Sequence, residues 1–409
     1  LAKWDEETGR AAPQDPKIME QLQKDSPSVH RQFFYLQRAA HLPVCRHTQT
    51  EFLTPGEQFF KRLCEELKRA RRFIFMEYFI LEEGKMWNTV RDILAQKARE
   101  GVEIKFLFDG FGCLSTLPSG YARQLRQLGI ETYVFNEFRP SMDTFMNYRD
   151  HRKITVIDGN VGFTGGNNLA DEYINACEKH GYWKDSSLLL KGDAVWNLSL
   201  LFLQMWQMVT KQSIAGYHRY RPTLHLPSDG YVAVFGDSPL DRELAGEICY
   251  MNLIQQAQES VTVTTPYLIL DNEMKTTLCA AAKGGVRIQI ITPGVADKWY
   301  VHAVTRYNYR PLLQAGVEIY EYTGGFIHAK TIVADQKLAV VGTQNFDFRS
   351  FYLHFECNAL LYRTSSVADV ARDHRQAIAR SRQITLKDCR PNPLFRLVQL
   401  CLNLFAPLM

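Results

Sequence analysis

Hydrophobic residues along the chain alternate between short continuous runs, typical of buried strands, and longer stretches with helical spacing. Apolar runs begin near Phe73, Gly101, Val261 and Gly285. Helical patterns lie between them, at 55–72, 85–100, 120–128, 240–259, 272–283 and 298–314. Strands that alternate with helices favour sheets of mostly parallel strands covered by helices. We therefore predict an α/β fold.

The predicted elements form an internal repeat. Four segments of the first half recur in the second half in the same order: 73–80 with 261–269, 101–107 with 285–291, 128–133 with 315–320, and 151–158 with 328–335. Such ordered self-similarity indicates duplication of one structural unit. The prediction is two similar α/β halves, each a mostly parallel sheet flanked by helices, related by an approximate twofold axis.

The repeat and the turn-forming residues suggest the following division of the chain: an N-terminal segment at 1–48, a first half at 49–215, a linker at 216–230, a second half at 231–385 and a tail at 386–409. In the tail, Arg396, Gln399 and Asn403 make a narrow polar stripe on an otherwise apolar helix. We expect the tail to pack on the body of the protein. An interfacial helix on a membrane is the alternative.

Composition limits the class of protein. With 46% hydrophobic residues among 409 and a net charge of only +4, the chain can bury a large core but lacks the strongly basic character of a dedicated nucleic-acid binder. Its nine cysteines are scattered and never spaced as CxxC, which argues against a disulfide framework or a zinc cluster. We expect no metal and no nucleic-acid partner.

Two apolar stretches, 196–209 and 394–409, are shorter than the roughly 20 residues that a membrane-spanning helix needs. The first is expected to be a buried helix, and the alternative is an acyl channel that faces the membrane. The chain begins at Leu1 rather than Met, which leads us to expect that an upstream segment is missing.

The candidate chemistry lies in two copies of His-x-Lys-x-x-x-x-Asp: His151, Lys153 and Asp158 in the first half, and His328, Lys330 and Asp335 in the second. If each motif is a strand, the histidine and lysine share one face, because side chains alternate with period two. The two aspartates fall on the opposite parity, so we interpret them as structural carboxylates that fix the strand end.

A small-residue turn and an asparagine follow each motif, ending in Asn168 and Asn345. Small residues let the backbone approach a ligand, and an asparagine amide can donate to a phosphate oxygen. Matched histidines, lysines and asparagines predict one shared pocket for a phosphodiester. One neutral imidazole would attack phosphorus while the other, protonated, donates to the leaving alkoxide. This chemistry requires no cofactor.

Carboxylates that could orient the two imidazoles follow each motif. Asp185 lies beyond His151 in the first half, and Glu356 lies beyond His328 in the second. We match each carboxylate with the histidine of its own half. Different carboxylates could hold the two rings in different protonation states.

These motifs resemble the phospholipase D superfamily, whose mark is the duplicated HxKxxxxD with a following small-residue turn and asparagine. The resemblance covers about residues 49–382. Within that superfamily, the segments 165–173, 183–185 and 342–351 are similar to bacterial cardiolipin synthases, as is the leucine-rich ending. One departure is His354, where that group often has asparagine.

The resemblance implies transfer of a phosphatidyl group between two phosphatidylglycerol molecules, which gives cardiolipin and glycerol through a phosphohistidine. It further implies His151 as the nucleophile and His328 as the general acid and base, an order that the near-symmetry of the halves leaves open. The implied location is the bacterial cell membrane, where members commonly carry N-terminal membrane helices that are absent from residues 1–48.

Two other function classes stay open on the sequence alone. One is another enzyme of the same superfamily. It could be a hydrolase that acts on phospholipid or, less favoured, on nucleic acid, or it could be a transferase that uses another acceptor alcohol. The other is a lipid-binding scaffold without activity, which the two intact motifs disfavour. Acceptor choice depends on pocket shape and on water exclusion, and the oligomeric state has no signature in the sequence.

Overall fold

The computed structural model describes residues 11–137, 147–224, 226–227, 230–241, 243–389 and 393–406. The first half contains nine strands: β1 Thr48–Leu53, β2 Phe73–Tyr78, β3 Glu103–Asp109, β4 Glu131–Phe135, β5 Arg149–Asp150, β6 Ile154–Ile157, β7 Val161–Gly165, β8 Tyr182–Lys184 and β9 Ser187–Gly192. The second half contributes β10 Tyr231–Asp237, β11 Ser260–Thr264, β12 Leu268–Ile269, β13 Arg287–Pro293, β14 Glu318–Tyr322, β15 Gly325–Ile327, β16 Thr331–Ala334, β17 Leu338–Gly342, β18 Phe346–Asp347, β19 His354–Tyr362 and β20 Ser381–Ile384.

Twelve α-helices lie in the described ranges. They are α1 Pro16–Asp25, α2 Pro27–Ala40, α3 Gly56–Arg69, α4 Lys85–Arg99, α5 Tyr121–Gln127, α6 Val195–Thr210, α7 Ala245–Gln256, α8 Asn272–Lys283, α9 Trp299–Gln314, α10 Phe348–Tyr352, α11 Ser365–Ala379 and α12 Pro393–Leu404. None of these helices combines the length and apolar character that a bilayer crossing requires.

Each half is built on one large sheet, which confirms the predicted α/β fold with two similar halves. The first sheet has the order β1-β9-β7-β6-β2-β3-β4, and the second follows β10-β19-β17-β16-β11-β13-β14-β20. Parallel pairing joins β2, β3 and β4 in one sheet and β11, β13 and β14 in the other, where helices make the crossovers. The other pairs along these two orders are antiparallel, and tight turns connect some of the neighbouring strands, as between β6 and β7 and between β16 and β17.

A buried core lies between the two sheets and is centred on α6. The helix packs against strands of both halves, and its Phe202 ring stacks on Phe75 at 4.7 Å between centroids. Asn197 of α6 donates to the Val234 carbonyl of β10 at 3.3 Å. The prediction of a buried helix here is confirmed. Because each large apolar side chain contributes about 1.5–3 kcal/mol when buried, α6 holds the two sheets together.

The segments outside the two halves pack on them. Helices α1 and α2 lie against the second half, where Phe33 packs beside Tyr231. Within the predicted linker, a short 3-10 helix at Tyr217–Tyr220 places the Tyr220 ring against Phe73 and Phe75. Residues 225 and 228–229 of that linker lie outside the described ranges, as do 1–10 of the N-terminal segment and 390–392 and 407–409 of the tail.

A cluster of buried charged side chains lies next to the first motif. Arg152 lies between the motif histidine and lysine, and its Nε is 2.7 Å from Glu77 Oε1 and 3.3 Å from Asp150 Oδ1. All three side chains are almost fully buried. Removing the cation would leave two buried carboxylates without their counter-charge.

We predict that Arg152→Met lowers the free energy of unfolding by about 3–5 kcal/mol, which denaturant titration followed by circular dichroism can measure. The double variant Arg152→Met/Glu77→Gln removes one of the two stranded charges and should recover part of that loss. A loss below about 1 kcal/mol in the single variant would show that this cluster is not needed for stability.

Candidate active site

The two motif histidines are placed by short strand pairs that join the halves. The regular strands β6 and β16 begin only after each His-x-Lys, so the motif strands are shorter than predicted. Instead, β5 pairs in parallel with β19, and β15 pairs in parallel with β8. His151 N then donates to Phe355 O at 3.0 Å, and His328 N donates to Lys184 O at 2.7 Å. Each histidine is therefore anchored to the backbone of the opposite half.

The same strand pairs bring each histidine to the carboxylate of the other half. His151 Nδ1 lies 3.0 Å from both carboxylate oxygens of Glu356, and His328 Nδ1 lies 2.6 Å from Asp185 Oδ2. Our own-half pairing was wrong. Residue separation along the chain suggested it. In the structure, Glu356 lies in β19 directly after the pair Phe355–Asp150, and Asp185 directly follows β8.

Burial sets the protonation of both rings. It lowers the pKa of His151 well below 6.5 against the opposing effect of Glu356. Burial and then Lys330 lower the pKa of His328 to about 4, although Asp185 acts in the opposite direction. Burial alone would raise the pKa of Glu356 and Asp185, yet the neighbouring imidazoles hold both below their ordinary values. Each ionised carboxylate thus accepts a hydrogen bond from Nδ1–H, which leaves Nε2 of each ring unprotonated.

The two motif lysines are buried and close to the reacting centre. Lys153 Nζ donates to His151 O at 2.6 Å, and Lys330 Nζ lies 2.9 Å from Nε2 of His328. Burial lowers the pKa of Lys153 to about 7 and that of Lys330 to about 8. Two ammonium groups in one buried site repel each other, so a phosphate anion between them would stabilise their charged forms.

The motif aspartates lie away from this centre. Asp158 accepts from the backbone N–H groups of Arg71, Arg72 and Phe73 at 2.7–3.0 Å. Asp335 accepts in the same way from the backbone N–H groups of residues 258–260. Each carboxylate thereby ties the turn after its motif strand to the start of the neighbouring strand.

The small-residue turns make room for the orienting carboxylates. A Cβ at Gly166 would lie 2.0 Å from Asp185 Oδ1, so only glycine fits there. The equivalent residue of the second half is Thr343, whose hydroxyl donates to Glu356. The approach of these turns to a ligand stays a prediction.

The two asparagines both reach the pocket. Asn168 Oδ1 accepts from Ile80 N at 3.0 Å, and its Nδ2 donates to the Tyr173 hydroxyl at 2.7 Å. Asn345 is buried, and its backbone N–H donates to Ser350 Oγ at 3.1 Å. The Asn168 amide is therefore oriented from both ends, with one of its N–H donors bound to Tyr173.

One cavity of about 790 Å³ contains both histidines and both asparagines. Its wall includes the aromatic side chains Phe79, Tyr173 and Trp183 beside several charged side chains. The His328 ring packs against Tyr173 at 5.6 Å and Trp183 at 5.3 Å between centroids. Such walls limit water around the reacting groups while a polar centre faces the ligand.

Several residues of this wall were not predicted from the sequence. Arg149 and Arg349 line the cavity beside His354, whose ring is 5.2 Å from that of His151. Arg149 could have been found, because it stands two residues before His151 and shares its parity. Arg349 could not, since only the fold brings α10 beside β5.

Among the described residues, one group could hold a metal ion: His151, His354 and Glu356 have ligand atoms within 4.8 Å of one another. A cation there would compete with the hydrogen bond between His151 Nδ1 and Glu356. We therefore assign these side chains to the proton network of the site.

A family model described as "Cardiolipin synthase, PLD-like domain" matches residues 63–191 and 250–378, the two halves that carry the motifs. The chain belongs to this family. The resemblance to the phospholipase D superfamily is thereby confirmed, and the PLD-like repeats coincide with the two sheets.

Relatives of this PLD-like chain extend over most of its length. It is 42% identical to an uncharacterized protein of Streptococcus mutans over 97% of this chain and 86% of that one. It is 37% identical to a cardiolipin synthase of Alkalihalophilus pseudofirmus over 95% of this chain and 78% of that one. A crystal structure of phosphatidylserine synthase from Haemophilus influenzae shares the fold, with a TM-score of 0.71 and 16% identity over 93% of this chain and 100% of that one.

The lowered pKa of His328 can be tested directly. We predict that its imidazole is neutral at pH 7 and gains a proton only as the pH falls through about 4. In Asp185→Asn the carboxylate that raises this pKa is gone, so the midpoint should move lower still. Nitrogen NMR of the protein labelled at histidine measures both midpoints. A midpoint for His328 at or above 6.5 would contradict the assignment.

Proposed function

We propose that this chain is a cardiolipin synthase that transfers a phosphatidyl group from one phosphatidylglycerol to a hydroxyl of another. The observation that carries the proposal is the pair of imidazoles in one cavity, each bound through Nδ1 to a buried carboxylate, which leaves Nε2 unprotonated. Sequence similarity to named cardiolipin synthases over most of the chain supports the choice of substrates.

In the first half-reaction, His151 Nε2 attacks the phosphorus of phosphatidylglycerol. The phosphorus–oxygen bond to the glycerol head group breaks, and the leaving alkoxide takes the proton from Nε2 of His328. Because the bound phosphodiester anion raises the pKa of His328, Nε2 of this ring takes up a proton from solvent when the substrate binds, before the attack. Glycerol departs and the phosphatidyl group stays on His151. Lys153 and Lys330 offset the charge that develops on the nonbridging oxygens.

In the second half-reaction, Nε2 of the now neutral His328 takes the proton of a hydroxyl on a second phosphatidylglycerol. That oxygen attacks the phosphorus, and the phosphorus–nitrogen bond breaks with its electron pair returning to His151. Cardiolipin is released, and His328 again carries the proton. Glu356 and Asp185 keep both rings in the required orientation throughout.

The proposal predicts that purified protein converts phosphatidylglycerol in liposomes into cardiolipin and glycerol. His328→Ala should lower the rate by about 10²–10⁴-fold because the acid and base are lost. His151→Ala should abolish transfer and prevent formation of the phosphohistidine. In His328→Ala the phosphohistidine should accumulate, and mass spectrometry can detect it there. The exposed His218 offers a matched control, since His218→Ala removes an imidazole outside the cavity.

The products decide between the alternatives. Phosphatidic acid as the main product would identify a hydrolase that uses water as the acceptor. Full activity in either histidine variant would exclude the two-histidine mechanism.

We also propose that the enzyme works at a membrane surface, with α12 lying on the lipid. Helix α12 packs on α9 through one residue of its polar stripe: Gln399 is buried and donates to Ala303 O of α9 at 3.0 Å, whereas Arg396 is exposed. Three of its leucines are exposed, with Leu394, Leu397 and Leu404 exposed by 74%, 57% and 79%. A buried glutamine beside exposed leucines reverses what an amphipathic helix does on an aqueous protein surface.

Helix α12 and the residues that follow it pack behind part of the cavity wall. Leu402 and Ala406 pack in one cluster with Ile269 and Val301, and these two residues also line the cavity. Trp299, at the start of α9, is 64% exposed and directly precedes Tyr300, another residue of the cavity lining. An exposed leucine row on α12 would bring the site to the level of lipid head groups while acyl chains stay in the bilayer.

We predict that Leu397→Gln/Leu404→Gln lowers binding to phosphatidylglycerol vesicles by about tenfold or more, because two leucine side chains no longer enter the lipid. Vesicle sedimentation measures the bound fraction. Leu386→Gln removes a leucine that is 45% exposed but lies outside α12, and it serves as the control. Equal binding of the double variant and the wild type would rule out this membrane contact.

A further inference from the structure

The cavity wall beside His151 contains two arginines whose role the transfer chemistry above leaves unassigned. Arg149 belongs to β5 and stands opposite His354 in the parallel pairing with β19. Its guanidinium lies over the Phe111 ring, 4.1 Å from the centroid. Arg349 belongs to α10, and its Nε donates to Nε2 of His354 at 3.3 Å. Two cations from different halves therefore flank one imidazole.

This cluster is connected to the reacting histidine. His354 Nδ1 is 3.3 Å from Glu356 Oε1, the carboxylate that also holds His151. Since Nε2 of His354 accepts from Arg349, its proton must be on Nδ1 and is donated to Glu356. The arginines are thus fixed relative to the reaction centre by one continuous set of hydrogen bonds.

Nearby carboxylates are already engaged by backbone amides. Asp109 accepts from the backbone N–H groups of Phe111, Gly112 and Asp150. Burial raises the pKa of Asp109 to about 7, which weakens its negative charge near neutral pH. Asp347 caps the start of α10 by accepting from Ser350 N at 2.8 Å. Both carboxylates therefore accept from backbone N–H groups, and Asp109 carries a reduced negative charge near neutral pH.

Other residues of the cavity lining bring lysines and carboxylates together. Lys179 lies 3.0 Å from Glu172, and Lys298 follows Asp297 directly in the chain. All four side chains line the cavity. Arg149 and Arg349 are the arginines of that lining among the described residues, and their planar guanidiniums can donate paired hydrogen bonds to an additional anion.

We propose that Arg149 and Arg349 form a second anion subsite, which binds the phosphodiester of the acceptor phosphatidylglycerol. This inference rests on the proposed function. Transfer between two phosphatidylglycerols brings two phosphodiesters into one cavity, and the histidines and lysines of the motifs serve only the one that reacts. Planar guanidiniums suit a phosphodiester because they donate two parallel hydrogen bonds.

The subsite can be tested by comparing two acceptors in the same enzyme. Cardiolipin formation uses an anionic acceptor, whereas exchange of labelled glycerol into phosphatidylglycerol uses an uncharged one with the same donor and the same histidines. We expect Arg349→Gln and Arg149→Gln each to lower the ratio of cardiolipin formation to glycerol exchange by about tenfold or more. Arg349→Lys, which keeps the charge without the planar fork, should lower it less.

Arg372→Gln is the matched control, since Arg372 lies on α11 with its side chain 60% exposed. Circular dichroism checks the folding of each variant. Because the two arginines lie on different elements, either variant alone tests the subsite if the other does not fold. An unchanged ratio, or an equal loss of both reactions, would overturn the acceptor subsite. A wild-type protein that exchanges glycerol but forms no cardiolipin would refute the subsite and the proposed acceptor together, whereas absence of both reactions would refute the proposed function.

Discussion

The exchange of carboxylates between the halves is the interaction on which the rest of the site depends. An imidazole and a carboxylate can share a dry interior only when each satisfies the other. Here the partner of each histidine comes from the opposite half, through the pairs β5–β19 and β15–β8. The site therefore exists only when both sheets are docked, and the apolar core around α6 supplies the energy that keeps them so.

Burial also disfavours positive charge in the site. Both imidazoles and both motif lysines have lowered pKa values because water is excluded around them. An anion bound between these groups would favour the charged forms of lysine and imidazole together. Affinity for a phosphodiester and readiness for acid–base chemistry thus have the same physical origin.

Periodic segments were predicted well from the sequence. The helix predicted at 272–283 has the same bounds in the structure, and all four repeated segments fall in equivalent places of the two sheets. What sequence could not supply depends on contacts between distant segments. Glu356 contacts His151 rather than His328 because β5 of the first half pairs with β19 of the second half. Gly166 leaves space for Asp185, which contacts a histidine of the other half.

The tail shows a second limit of reasoning from sequence. The polar stripe of α12 was correctly located, but its direction depends on an acceptor on α9 that no local pattern encodes. In the same way, Arg349 enters the cavity only because α10 follows the turn that ends at Asn345. A pattern along one element predicts which residues share a face, and the neighbouring elements decide what that face meets.

Duplication produced two equivalent positions that are no longer chemically equal. On one side a glycine leaves space for an aspartate, and on the other a threonine hydroxyl binds a glutamate that is one methylene longer. A symmetric pair of imidazoles would have no preferred direction in which to pass a proton. The different contacts at Gly166 and Thr343 make the surroundings of the two histidines unequal. A fold built from two copies of one unit can therefore give its two histidines different roles and a preferred direction of proton transfer.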